Sequence, residues 1–196
     1  LECGRPFLRI GVTRITVHDD QDGTLQGGDD EIYCVVQAEA QNGIELRITP
    51  LSPSIDDGSH WDLSLSTGVF WGQVTQAHPG SDLLVTYDCI ENDNTQAYQN
   101  LLDAVADGAD NIGGTVGDDN GWIFATGSAV ASITSAAMGL NNDDHVFNHQ
   151  QYIRLEDQLE LTNGYYWSVR QRGSNCDSCD WELTVRAWGC AEFGLL

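Results

Sequence analysis

LLVTYDCIENDNTQAYQNLLDAVADGADNIGG, residues Leu83 to Gly114, decides the reading of the chain. Its first part, LLVTYDCI, places apolar side chains on both faces of an extended segment, which predicts a centrally placed strand. Glu91-Asn92-Asp93-Asn94 follows as an acidic loop. Tyr98, Leu101, Leu102 and Val105 then recur at helical spacing and predict a short amphipathic helix over about 95–107. Asp93 or Asn94 suits its start and Gly108 its end. Its apolar stripe is expected to dock onto a sheet. A second acidic turn, Asp107-Gly108-Ala109-Asp110, runs into Asn111-Ile112-Gly113.

The flanking sequence predicts more strands. Leu8 to His18 alternates well enough for a first strand, and IYCVVQAE (Ile32 to Glu39) is apolar on both faces, hence central. Between them Asp19 to Glu31 is a loop of acidic residues and glycines. Ile44, Leu46 and Ile48 alternate with Glu45, Arg47 and Thr49, which predicts a half-exposed strand after a Gln41-Asn42-Gly43 hairpin turn. Ser54 to His60 is another acidic turn. Trp61, Leu63 and Leu65 alternate with polar residues, and Val69 with Trp71 suits an edge strand. Trp122 to Leu140 fits helix or strand. Asn141 to His149 is expected as an acidic loop. Gln151 to Leu161, Gly164 to Gln171 and Trp181 to Trp188 are expected to close the chain as strands. The whole predicts an all-β, mostly antiparallel sandwich with one or two short inserted helices, a single domain over residues 1–196.

The charge narrows the function. Eight basic residues, all Arg, oppose thirty acidic ones for a net charge of −22. No basic patch strong enough to drive counterion release is legible, so nucleic acid is not an expected partner. No run of apolar residues is long enough to span a bilayer, so membrane insertion is not expected either. The acidity is uneven. It concentrates in the Asp-Asp pairs Asp19-Asp20, Asp29-Asp30, Asp56-Asp57, Asp118-Asp119 and Asp143-Asp144, mostly beside Gly or Asn. Carboxylates held about 5 Å apart repel by roughly 1 to 3 kcal/mol per pair, which a bound cation relieves. Adaptation to high salt is the competing explanation.

Cys3, Cys34, Cys89, Cys176, Cys179 and Cys190 form an even set without a recognisable cytosolic motif, which favours disulfides and an oxidising compartment. Sequence does not choose among the connectivities. Cys3–Cys190, Cys34–Cys89 and Cys176–Cys179 are the expected pairs, with zinc at the Cys176-x-x-Cys179 step as the lesser reading. The chain is expected to be extracellular, following removal of a signal peptide.

Val85-Thr86-Tyr87-Asp88-Cys89-Ile90-Glu91-Asn92-Asp93, with the later Asp110-Asn111-Ile112-Gly113, resembles the third calcium loop of C2-type domains, here split by the helix. Asp19 to Glu31, leading into IYCVV, would be the first. The resemblance covers about residues 12–114 and implies a β-sandwich in which Asp20, Asp22, Asp30 and Glu31 meet Asp88, Glu91, Asp93 and Asp110 around calcium. The Asp143-Asp144 turn resembles a second copy of the same device. An oxygen-only donor set with flexible geometry suits calcium better than magnesium. The EF-hand is excluded, because Leu25 stands where that loop needs Gly.

No nucleophile-elbow, zinc-protease, Walker or dinucleotide motif is present, and no enzymatic activity is expected. His145 and His149 would lie one turn apart on a helix, a weak transition-metal motif. Among the six Trp residues, Trp71 and Trp188 fit their strand phases least well and are the candidates for an exposed sugar-stacking platform. The expectation is a secreted, non-catalytic, calcium-stabilised structural protein that self-associates into an extracellular surface or fibre. The alternative is a calcium-assisted carbohydrate-binding module.

Overall fold

The computed structural model describes residues 8–19, 31–41, 43–72, 80–92, 98–103, 115–116, 122–125, 145–161, 165–172 and 180–188. The strands are β1 (Arg9–Asp19), β2 (Ile32–Ala40), β3 (Gly43–Ile48), β4 (His60–Asp62), β5 (Val69–Trp71), β6 (Leu83–Glu91), β7 (Thr115–Val116), β8 (Trp122–Ala125), β9 (His145–Ile153), β10 (Tyr166–Arg172) and β11 (Asp180–Trp188). Helix α1 is Leu65–Gly68, helix α2 is Leu155–Leu161, and residues 98–103 are also helical. Sheet I runs β10-β11-β1-β4, with β5 also paired to β1, and sheet II runs β7-β8-β3-β2-β6-β9. All pairings are antiparallel. The expected all-β fold with short helical insertions is the observed one.

Alternation along the strands builds the core between the sheets. Sheet I contributes Ile10, Val12, Ile15 and Val17 from β1 and Trp181, Leu183, Val185 and Ala187 from β11; sheet II contributes Ile32, Cys34, Val36 and Ala38 from β2 and Leu83, Val85, Tyr87 and Cys89 from β6. The strands with apolar residues on both faces, β2 and β6, are central in sheet II, as expected. Their outer faces need a second cover. Tyr98 and Leu101 of the helical turn supply it, packing with Tyr33, Val35, Ile44, Leu46, Ile48 and Ile90. The rings of Tyr33 and Tyr98 lie 4.9 Å apart, and the Tyr98 hydroxyl donates to the Thr49 carbonyl at 2.9 Å.

That cover corrects the half-exposed reading of β3. Every residue of β3 is buried. Ile44, Leu46 and Ile48 face the helical turn, so alternation turns Glu45 and Arg47 inward, towards sheet I. Arg47 is fully buried. It donates through Nε to the Thr67 carbonyl at 2.9 Å and through Nη2 to that of Ser66. Glu45 Oε1 accepts the Gly72 N–H at 3.1 Å, and Arg9 Nε donates to the Gly72 carbonyl at 2.9 Å. Strand β3 of sheet II is thereby clamped to the α1–β5 segment of sheet I. The segment itself lies close on β1: a Cβ added at Gly68 would sit 2.0 Å from the Val12 carbonyl oxygen. A side chain there would push α1 off the sheet.

Three further expectations are revised. The strand expected from Trp61 stops at Asp62, and α1 follows. The segment expected as an acidic loop to His149 becomes strand β9 from His145 onward, paired with β6. Leu155–Leu161, expected as strand, is helix α2. Its composition of Leu, Glu, Asp and Gln is helix-forming, and Asp82 Oδ1 accepts the Leu155 N–H at 2.9 Å. That cap comes from a residue distant in sequence.

Two outcomes follow. Replacing Arg47 by Ala strands buried carbonyls and the Glu45 side of the clamp, and should cost about 3–5 kcal/mol in urea unfolding; a loss under about 1 kcal/mol would show that the clamp does not hold the sheets. Burial pushes Tyr98 from 10.0 up to about 12, the Arg47 charge opposing, and burial raises Tyr87 further. A phenol with a raised folded-state value stabilises fully below the unfolded value and loses that contribution as pH rises. Stability should therefore fall between about pH 10 and pH 12, and Tyr98→Phe should roughly halve the slope of the urea midpoint against pH in that window.

Candidate metal centre: the acidic end of the sandwich

The site begins with the β2–β6 register. Ile32 lies opposite Glu91, and the Asn92 N–H donates to the Glu31 carbonyl at 2.8 Å. Two acidic stretches thus join the same strand pair side by side. β9 starts here too, with His145 opposite Ile90. So does β8, with Trp122 opposite Arg47, while β7 ends here with Val116 opposite Ile123. The Ser52 hydroxyl accepts the Ile32 N–H at 2.7 Å, and the Val17 N–H donates to the Ser59 carbonyl at 3.1 Å. The chain carrying Asp56 and Asp57, both exposed, therefore crosses between the sheets at this end.

The two sheets are aligned at the same end. The Asn148 N–H donates to Gln171 Oε1 at 2.8 Å and Trp167 Nε1 donates to Gln151 Oε1 at 3.0 Å, so β9 and β10 run past each other in register. β1 consequently finishes at this end, with Asp19 opposite Asp180. All five Asp-Asp pairs belong to connections that enter or leave the sandwich here: after β1, before β2, between Ser52 and Gly58, between β7 and β8, and before β9.

Of the expected ligands, Glu31 and Glu91 are half-buried at adjoining strand ends, but alternation turns them to opposite faces of sheet II: Glu91 shares the face of Ile32, and Glu31 that of Tyr33 and Asn92. Asp88 is not with them. It is fully buried within β6, opposite Val35 and Asn148, and alternation places it on the other face of the sheet from Glu91. Asp20, Asp22, Asp30, Asp93, Asp110, Asp143 and Asp144 lie outside the described residues. Among the described residues, no group of three or more His, Cys, Asp or Glu side chains converges at metal-binding distance.

Asn92 was missed by the sequence reading. It is 7% exposed, and among the described residues neither its Oδ1 nor its Nδ2 has a hydrogen-bond partner. A buried amide without partners costs roughly 1–3 kcal/mol, and a cation satisfies Oδ1, though not Nδ2. The Glu31 carboxylate lies on the same face by alternation, and amide and carboxylate oxygens are donors that calcium takes and a soft metal does not. The only sequence signal of Asn92 was its place between two acids, where it reads as a turn former.

Cys34 and Cys89 form the expected disulfide, with Cα atoms 3.9 Å apart across paired strands. Cys3, Cys176, Cys179 and Cys190 lie outside the described residues. His145 and His149 stand on a strand, where four residues span about 13 Å, so the one-turn spacing of a helical metal motif is lost.

The aromatic expectation is corrected. Trp71 and Trp188 are 2% and 6% exposed and cannot form a stacking platform. Trp71 faces the core from β5, and Trp188 lies opposite Arg9 at the end of β11 with the Arg186 guanidinium 5.5 Å from its ring centre. The exposed aromatic residues are tyrosines: Tyr152 at 71%, Tyr165 at 60% and Tyr166 at 71%.

Comparison with protein-family models, curated proteins and solved structures yields no match to this chain. No helix among the described residues is long and apolar enough to cross a membrane.

Burial sorts the six tyrosines into two classes. Tetranitromethane should nitrate Tyr152, Tyr165 and Tyr166 and spare Tyr33, Tyr87 and Tyr98, as read by peptide mass spectrometry. Early nitration of Tyr33 or Tyr98 would show that the helical turn does not cover sheet II.

Proposed function

We propose that this chain is a secreted, non-catalytic structural protein with a C2-like sandwich, that its acidic end binds calcium, and that the calcium-loaded form self-associates into an extracellular surface or fibre. The observation that carries the reading is that the strand ends flanking all five Asp-Asp pairs in the sequence lie at one end of the two sheets. A surface made acidic only for solubility has no reason to gather its carboxylates, since spreading them lowers their mutual repulsion. Calcium accepts the mixed carboxylate, amide and carbonyl donors that loops provide. The Cys34–Cys89 disulfide supports an oxidising compartment. The helical segment between the two halves of the motif departs from the simple C2 arrangement and covers the outer face of sheet II, so the membrane role of such loops does not carry over. Neutralising the acidic end removes the main barrier to contact between copies.

Thermal unfolding in EGTA, in millimolar calcium and in NaCl of matched ionic strength tests the site. Calcium at about a hundred times its Kd adds roughly 2.7 kcal/mol and should raise the midpoint by about 5 to 10 °C. An equal rise in NaCl alone would assign the charge to general screening and overturn the site. Sedimentation of the same samples tests assembly: a monomer at every concentration with calcium bound would leave a calcium-stabilised monomer and refute the subunit role.

A further inference from the structure

The outer face of sheet I carries a groove well away from the acidic end. An open groove of about 480 Å³ is lined by Thr13, Arg14, Asp62, Tyr166, Thr184 and Arg186. The register explains how four strands build it. Arg14 of β1 lies opposite Asp62 of β4 on one side and Thr184 of β11 on the other, and Arg186 of β11 lies opposite Tyr166 of β10. The floor crosses the sheet for about 14 Å. It is some five residues, about 17 Å, along β1 from Asp19 at the acidic end.

We infer that this groove binds a neutral saccharide, with Tyr166 as the stacking platform and the Arg14–Asp62 fork as the hydroxyl-binding pair. Arg14 donates to Asp62 through Nε at 2.6 Å and Nη2 at 3.3 Å. The pairing fixes both planar groups while their side chains stay 45% and 60% exposed. Arg14 retains further N–H donors and Asp62 further lone pairs, the complementary set that neighbouring sugar hydroxyls need. The Arg14 hydrogen bond holds the Asp62 carboxyl below the usual carboxylate range, so it stays an acceptor at neutral pH. Thr13 Oγ1 donates to the Thr184 carbonyl at 3.2 Å, which orients a second hydroxyl over the floor. Tyr166 presents a rigid amphipathic ring with little conformational entropy to lose.

Other ligand classes fit less well. An apolar ligand meets charges and hydroxyls. A protein partner finds no buried aliphatic anchor beside the one ring. A polyanion is repelled by Asp62 in the groove and by the field of a chain with net charge −22, whereas a neutral polyol is repelled by neither and can donate to Asp62.

The test is calorimetric titration of the full chain, in EGTA and again in calcium, with neutral α- and β-linked gluco-hexasaccharides and a mannohexaose, beside heparin at the same salt. The expected result is millimolar or tighter binding of at least one neutral hexasaccharide in both buffers. Tyr166→Ala should weaken it roughly tenfold or more, as should Asp62→Ala. Tyr152→Ala, exposed outside the groove, should leave the affinity unchanged, and unchanged unfolding midpoints would show that the variants fold. Lack of binding across the neutral panel up to about 10 mM, affinity insensitive to Tyr166→Ala, or tighter binding of heparin overturns the inference. Because the EGTA arm excludes calcium, failure of the metal site leaves this result readable on its own.

Discussion

Everything at the acidic end depends on the register between β2 and β6. Cys34 lies opposite Cys89, and the bond between them closes a loop of 55 residues. By the chain-entropy account such a loop contributes roughly 4 kcal/mol through the unfolded state. Its second effect is geometric. A one-residue slip would turn each strand over and exchange the core face with the face under the helical turn. Both faces are apolar, so burial alone discriminates poorly between the two registers. The covalent link removes the choice, and with it any freedom in where Glu31, Glu91 and Asn92 finish. The strand ends that flank the acidic stretches stay at one end because the strands cannot slide.

The interior has its own electrostatic compromise. β3 is covered on both faces, by an aliphatic and aromatic cluster on one side and by the other sheet on the other. Its charged residues therefore have no solvent to face. Arg47 and Glu45 bond to the backbone of the α1–β5 segment, and Arg9 joins through the Gly72 carbonyl. Such an arrangement is rarely better than a packed apolar core in total stability. What it provides is direction. Carbonyls of Ser66 and Thr67 and the N–H of Gly72 are met in only one relative placement of the two sheets.

Strand existence and centrality were legible because period-two alternation and two-sided apolar runs reflect burial directly. IYCVV and LLVTYDCI announce central strands from their composition alone, and Tyr98 and Leu101 announce a docking face. β3 was misread because Ile44, Leu46 and Ile48 alternate whether the charged face meets water or a partner; only the tertiary cover decides. Leu155–Leu161 was misread because its cap is Asp82, which no local pattern reveals. Trp71 and Trp188 looked out of phase because phase is a poor guide at strand ends, where neighbouring segments and a guanidinium supply cover. In the candidate site, the arrival of two acidic stretches at one end of β2 and β6 was legible as acidic loops flanking central strands. The separation of Glu91 from both Asp88 and Glu31 is a matter of strand parity, and Asn92 hid because its interest lies in what it fails to bond.

The pairing of the first strand with the last has a consequence for synthesis. Thr13 bonds to the Thr184 carbonyl across 171 residues, and β1 has its longest ladder with β11. A chain emerging from the ribosome can complete the β2-β3-β6-β9 part of sheet II well before β11 exists. Through that interval β1 holds its apolar face without its main partner, and the inner face of sheet II lacks its lid. Closing so long a loop is entropically slow, and a half-sandwich with an open face is prone to aggregation. Concentrated negative charge keeps such unfinished chains apart. On this view the chain's acidity serves nascent copies as mutual repulsion until the last strand has closed the sandwich.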